Sequence, residues 1–255
     1  MAFEAYLAAA HGALDRVARE QGDSIRRAGA AVADALASGG ILHIFGAGHS
    51  HLLAEEGFYR AGGLAAINPI LDRRLMFFDG ALASTRAERE PGYAAEILER
   101  EDVRRGDAGI VVSNSGRNAV PLEMAMALHA RGVSVIAITS LEHSRAMASR
   151  HSSGRKLYEI ADVVIDTSIP AGDAAVALPG TSIRMGPLST VVGATIIHSV
   201  CIEAAARLLD RGVAPPVLAS ANLDTTSQAD LERTLAVYAD RVRYLDVPRN
   251  DRGER

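Results

Sequence analysis

Apolar positions in the first forty residues recur at helical spacing: Leu7, Leu14, Val17, Ile25, Val32 and Leu36. They predict one or two helices with a break near Gly22-Asp23, ended by Gly39-Gly40. Beyond that point the pattern changes. Short apolar runs at 41–45, 64–70, 108–113, 133–139 and 163–166 read as strands, those bounded by glycine as buried parallel ones. Between them, helical patterns cover 51–61, 91–101, 119–131 and 142–151. Residues 72–90 open on an apolar patch, Leu75, Met76, Phe77 and Phe78, and continue as a polar loop holding Glu88, Arg89 and Glu90. An irregular stretch at 169–185 leads into a long apolar helix at 188–209, and Pro215-Pro216 breaks the chain. A last helix at 228–244 follows possible caps at Asp224, Thr225 and Thr226. Strands alternating with helices predict an α/β fold, three layers α-β-α around a mainly parallel five-stranded sheet, with N-terminal helices added. The boundaries suggested are a helical segment at 1–38, a domain at 39–245 and a charged tail at 246–255.

Composition narrows the function. The chain has 255 residues, 48% hydrophobic and 23% charged, as a globular protein does. Lys+Arg is 27 against Asp+Glu 31, and Lys156 is the single lysine. A nucleotide-binding G-x-x-x-x-G-K-[ST] loop is therefore absent. A mildly acidic chain with 4% aromatic residues and no Trp lacks the basic field and stacking platforms of a nucleic-acid binder. Cys201 stands alone, so neither an internal disulfide nor a multi-cysteine zinc site is expected, and no other metal-ligand spacing occurs. The N-terminus does not read as an export signal, and no run of eighteen apolar residues is found, so the expectation is a cytoplasmic protein away from membranes.

Two turns carry the candidate chemistry. Gly46-Ala47-Gly48-His49-Ser50 follows the first strand, where glycines allow a sharp bend and close approach of a ligand to the backbone. The full dinucleotide pattern fails because His51 occupies its last position. Ser113-Asn114-Ser115-Gly116-Arg117-Asn118 follows another strand and offers hydroxyls and an amide before a helix. Each serine also reads as a cap, although a cap accounts for one hydroxyl and not the cluster. Thr139-Ser140 ends the next strand. Parallel strands end on one edge, so these loops should meet in one crevice.

The pattern resembles the sugar isomerase (SIS) domain family over roughly residues 39–212, with the serine-rich turn as its most specific part. Gly186-Pro187-Leu188-Ser189-Thr190 and Ser220-Ala221-Asn222-Leu223-Asp224 look most like a bacterial subgroup linked to N-acetylglucosamine 6-phosphate dehydration. The resemblance implies a phosphosugar ligand, its phosphate on the serine-rich turn, no cofactor, and sites built between subunits of a homodimer or homotetramer. The ligand-binding set is then Gly48, His49, Ser50, Ser113, Asn114, Ser115, Arg117, Asn118 and Thr139.

Such chemistry needs a base for the proton beside the sugar carbonyl. Glu55 and Glu56 follow Ser50 by about one helical turn, and adjacent helical residues diverge by about 100°, so one of them should face the crevice. His51 begins the same helix, where the dipole favours a neutral ring able to shuttle protons. His198 lies in the long apolar helix, either as a buried structural histidine or, as the resemblance implies, as a late histidine assisting ring opening. Cys201 reads as core. The leading expectation is a lyase in which Glu55 or Glu56 takes the C2 proton and the C3 oxygen leaves with help from an acid such as His51. An aldose-ketose isomerase uses the same first step, and a sugar-phosphate sensor uses none.

Overall fold

The computed structural model describes residues 2–222 and 227–246. The expected caps at Asp224, Thr225 and Thr226 and nearly all of the charged tail lie outside the described residues. Two helices, α1 (Ala2–Glu20) and α2 (Gly22–Ala37), precede β1 (Leu42–Gly46), α3 (His51–Gly57) and β2 (Ile67–Ile70). Then come α4 (Ala81–Ala87), α5 (Tyr93–Leu98), β3 (Ala108–Val112), α6 (Ala119–Ala130), β4 (Ser134–Thr139), α7 (Leu141–Ala146) and β5 (Val163–Asp166). A small hairpin, β6 (Val176–Ala177) with β7 (Arg184–Met185), leads into α8 (Ser189–Asp210) and α9 (Gln228–Ala236).

The five strands β1 to β5 form one parallel sheet in the order β2-β1-β3-β4-β5. Side chains alternate across it. Leu42, Ile44, Ile110, Ile136 and Ile165 pack with α1, α2, α3 and α8 on one face. Phe45, Val111, Val135 and Ala137 pack with α5 and α6 on the other. The three-layer α/β architecture expected from the alternation is what the chain adopts. Among the described residues one helix, α8, is long and apolar enough to cross a membrane, although Thr190, Thr195, His198 and Glu203 interrupt its apolar run. Its buried face, Val192, Ile196, Ile197, Val200 and Leu208, belongs to the core shared with α2 and the sheet.

Several boundaries differ from those expected. The helix expected to reach residue 61 stops at Gly57, because Phe58 is extended and Tyr59 turns left-handed at φ 44°. The strand expected from 64 begins at Ile67, since the preceding residues pair instead with the chain after Pro215-Pro216: Leu64 bridges Val217, and Leu218 N–H donates to Gly63 O at 2.8 Å. The polar loop after Phe78 contains α4, fixed by Ser84 Oγ donating to the Leu75 carbonyl at 2.9 Å. The helix expected to reach 151 stops at Ala146, where the Lys156 ammonium donates to the carbonyls of Ser144 and Met147. A cation at a helix C-terminus satisfies orphan carbonyls and opposes the negative end of the dipole. The last helix also ends early, at Ala236.

A polar network is buried where the sheet meets the C-terminal segment. His43 and Asn68 are register partners on β1 and β2, and both are wholly buried. His43 Nε2–H donates to Asp107 Oδ2 at 3.1 Å, and Asn68 Nδ2–H bonds to His43 Nδ1 at 3.2 Å and to Glu101 Oε2 at 2.8 Å. Arg241 reaches Asp107 Oδ2 at 2.7 Å, and the Arg243 N–H donates to Asn68 Oδ1 at 3.1 Å. Desolvation pushes the Asp107 carboxyl upward. The hydrogen bonds from His43 and from the backbone of Arg104 and Ile41 outweigh it, so its pKa falls below the ordinary carboxylate value.

Candidate functional site

The strand order places the C-terminal ends of β1 and β3 side by side, where open α/β sheets receive ligands. A small crevice of about 10 Å³ lies there, with Leu53, Val112 and Ile138 as its apolar lining. His49, Ser50 and Asn114 supply polar groups to it from the two expected turns. Thr167, Ser189 and Thr190 add three that the sequence reading did not assign. Ser189 and Thr190 lie in the Gly186–Thr190 stretch, read above as a mark of resemblance only; Thr167 follows β5 with no pattern of its own. Asp173 caps the start of α8: its Oδ1 accepts from the N–H groups of Leu188 and Ser189, and its Oδ2 from Ser189 Oγ–H at 2.5 Å.

The first turn is tight because of Gly46, where a Cβ would stand 2.2 Å from the Ser50 carbonyl oxygen. Gly48 takes φ +56° and begins a 3₁₀ turn ending at Ser50. In the second turn Gly116 also takes φ +56°, and its N–H donates to Ser113 Oγ at 3.2 Å. Ser113 thus builds the loop and keeps its hydroxyl proton for another acceptor. Asn114 Oδ1 accepts from Thr167 Oγ1 at 3.0 Å, and Asn118 Oδ1 accepts from Arg150 at 3.0 Å, so both amides leave NH₂ groups to donate. Arg117 Nε is buried without a hydrogen-bond partner. Thr139 was expected to touch a ligand; it is wholly buried and lies beneath the turn, its hydroxyl donating to the Asn114 carbonyl at 3.3 Å. A methyl at Gly116 would meet Thr139 Oγ1 at 3.1 Å and both Leu157 Cβ and Ser144 Oγ at 3.2 Å. Gly116→Ala should therefore cost about 1–2 kcal/mol for the left-handed backbone alone. It should also weaken phosphate-ester binding about tenfold, read by calorimetric titration beside a thermal melt.

The four candidate catalytic residues form two pairs, and none of the four lines the crevice. On α3, His51 is buried and its Nδ1–H donates to the Gly48 carbonyl. Its Nε2 therefore faces Glu55 Oε1, 3.8 Å away, as a lone pair or a second N–H. Glu56 points elsewhere, as the 100° divergence requires. Its Oε1 accepts from His198 Nε2–H at 3.0 Å and its Oε2 from Arg60 at 2.9 Å. Glu55 thus shares the face of α3 that begins at the crevice turn, whereas Glu56 joins α3 to α8. The thiol of Cys201 is buried and pushed up to about 12 by desolvation, an inert core group. Among the described residues no three His, Cys, Asp or Glu side chains gather as a metal site would need.

A parallel sheet with serine- and glycine-rich turns at its carboxyl edge defines a sugar-isomerase-type domain. Residues 5–140 match the SIS domain model, and the chain belongs to the SIS domain family. Within it, a UPF0309 protein of Geobacillus thermodenitrificans is 43% identical over 232 residues, covering 91% of this chain and 93% of that protein. A UPF0309 protein of Listeria innocua is 43% identical over 234 residues, covering 92% and 94%. The fold is also that of a phosphoheptose isomerase from Francisella tularensis (TM-score 0.52, 16% identity, 79% of this chain and 95% of that one). A second such enzyme, from Neisseria gonorrhoeae, has a TM-score of 0.51 at 19% identity, covering 78% and 95%.

Proposed function

We propose that the protein is a phosphosugar enzyme that removes the proton next to the sugar carbonyl. The observation that carries this reading is the His51–Glu55 pair at the start of α3, directly after a crevice turn that meets the serine-rich turn. The phosphate would sit on neutral donors from Ser50, Ser115, Asn114 and Asn118, with the buried, unpartnered Arg117 Nε as a cationic donor beside them. Glu55 would accept the proton from the carbon beside the carbonyl. His51 Nε2 would exchange a proton with Glu55 or with the sugar oxygen, so that an enediol forms without a free alkoxide.

Return of the proton to the neighbouring carbon makes the reaction an aldose-ketose isomerisation. The names of the phosphoheptose isomerases that share this fold favour that outcome. A second reading is dehydration of N-acetylglucosamine 6-phosphate, in which the C3 oxygen leaves. The presence of two separate carboxylate–imidazole pairs favours it, because elimination asks for a base and a distinct acid. The names of the UPF0309 relatives state no reaction.

The test is incubation in deuterium oxide with N-acetylglucosamine 6-phosphate and with fructose 6-phosphate, followed by nuclear magnetic resonance and ultraviolet absorbance. Deuterium at C1 or C2 without water loss assigns isomerisation. An ultraviolet-absorbing unsaturated product assigns dehydration. Tight binding with neither change would sink the enzyme reading and leave a sensor.

The same reading includes a homo-oligomer. Val191, Thr195, Ile202 and Leu209 lie exposed along one side of α8 with His198 and Ala205 between them, a spacing of four and three residues as in a helix–helix seam. Ile202, Leu209 and Val217 rim an apolar groove beside His198. A second copy seated there would lie against the Glu56–His198 pair. Ile202→Glu should then raise the dissociation constant at least tenfold, seen as a fall in mass by light scattering after size exclusion. An unchanged mass would place the interface elsewhere.

A further inference from the structure

The apolar patch after β2 is not used by the chemistry above. Leu75 and Met76 are buried, yet Phe77 and Phe78 beside them remain exposed. Aromatic side chains are scarce in this chain, with five Phe and no Trp, and an exposed pair of them is a costly use of apolar surface. The Phe77 ring lies 4.8 Å from the His49 ring and 6.0 Å from the His51 ring, centroid to centroid. Its Cζ is 3.7 Å from where a Cβ on Gly48 would stand. Phe77 therefore stands on the lip of the crevice, on the side of the His51–Glu55 pair.

The lip is braced. Arg73 reaches across it to Asp79 Oδ1 at 2.9 Å. At its base the buried Asp72 accepts from Tyr93 Oη–H at 2.7 Å and from Arg100 at 3.1 Å. Ser84 Oγ holds the Leu75 carbonyl from the other side. An aromatic ring set against His49 and His51 on this support, yet still 38% exposed, is placed to meet a ligand rather than required by the core.

We propose that Phe77 is the specificity-determining residue for the substituent on the carbon that loses its proton, and that it selects an acylated amine over a free one. The inference rests on the phosphosugar reading of the crevice. Glu55 acts at that carbon, so its substituent extends toward the His51 side, where the Phe77 ring stands against His49. An acetyl methyl packs against the Phe77 face, whereas an ammonium group would give up strongly bound water there for only an exposed cation–π contact.

The experiment is calorimetric binding of N-acetylglucosamine 6-phosphate and glucosamine 6-phosphate to the full chain, so that no turnover is needed. The wild type should prefer the acetylated ligand by about tenfold or more. Phe77→Ala should abolish that preference while leaving glucosamine 6-phosphate affinity within about twofold. Phe77→Leu, which keeps an apolar wall, should restore part of it. A parallel loss of both ligands in Phe77→Ala, or an intact preference, would overturn the assignment. If the wild type binds neither ligand, the phosphosugar reading itself fails and takes this inference with it. Binding with the stated selectivity but no turnover would uphold Phe77 and count against the catalytic reading alone.

Discussion

Glu55→Gln should lower turnover of the phosphosugar substrate by about 10²–10⁴-fold with ligand affinity nearly unchanged. The amide keeps the size of the side chain and its place 3.8 Å from His51, but it cannot accept the substrate proton. Glu56→Gln should behave differently. Glu56 orients His198 through a 3.0 Å hydrogen bond and is tied to Arg60, so its loss should bring a smaller fall, about tenfold, together with a changed pH-rate profile. Steady-state kinetics and calorimetric titration of both variants separate the roles. Full activity in Glu55→Gln would remove it as the base, and equal losses in both variants would contradict the division of labour drawn here.

The largest effect on stability should come from Asp107→Ala. The carboxylate is buried and serves His43, Arg241 and the backbone of Ile41 and Arg104. Removing one partner of a buried ion pair leaves the other charge uncompensated, at a cost of about 3–5 kcal/mol. For a chain of this size that is a fall of about 10 °C in the melting midpoint. The acid side provides a second check. A carboxyl whose folded pKa is depressed stabilises the fold above its unfolded pKa, the ordinary carboxylate value, and loses that contribution as pH falls from there through the lower folded value. Asp107→Asn should therefore show a shallower loss of stability below about pH 4 than the wild type, measured by urea unfolding at several pH values. Identical acid slopes would mean that Asp107 does not carry the linkage.

The sheet was the most legible part of the chain. Its five strands are short apolar runs with turn residues after them, and each is buried on both faces or nearly so, as the runs imply. Helix ends were less legible, because their stops depend on distant partners. The end of α7 is set by Lys156, ten residues past its last helical residue, and α4 is fixed by a contact between Ser84 and Leu75. The candidate site divides in the same way. The two turns could be read from glycine and serine spacing alone. Which partners the two adjacent glutamates take could not: Glu55 pairs within its own helix, and Glu56 with a histidine 142 residues away. Thr139 looked like a ligand group by its place at a strand end, but the turn folds over it. Thr167 and Ser189 came into view only once β5 and α8 were set beside β3 and β4.

The single lysine has a practical consequence for watching this protein in solution. Lys156 is buried, with its ammonium turned inward onto the end of α7 and held by the carbonyls of Ser144 and Met147. An amine-directed acylating reagent should therefore leave this side chain untouched in the native state and modify it only when the segment around the serine-rich turn opens. Since no other lysine competes, the mass gained at that one residue would time the opening of the loop, and a bound phosphate ester should slow the clock.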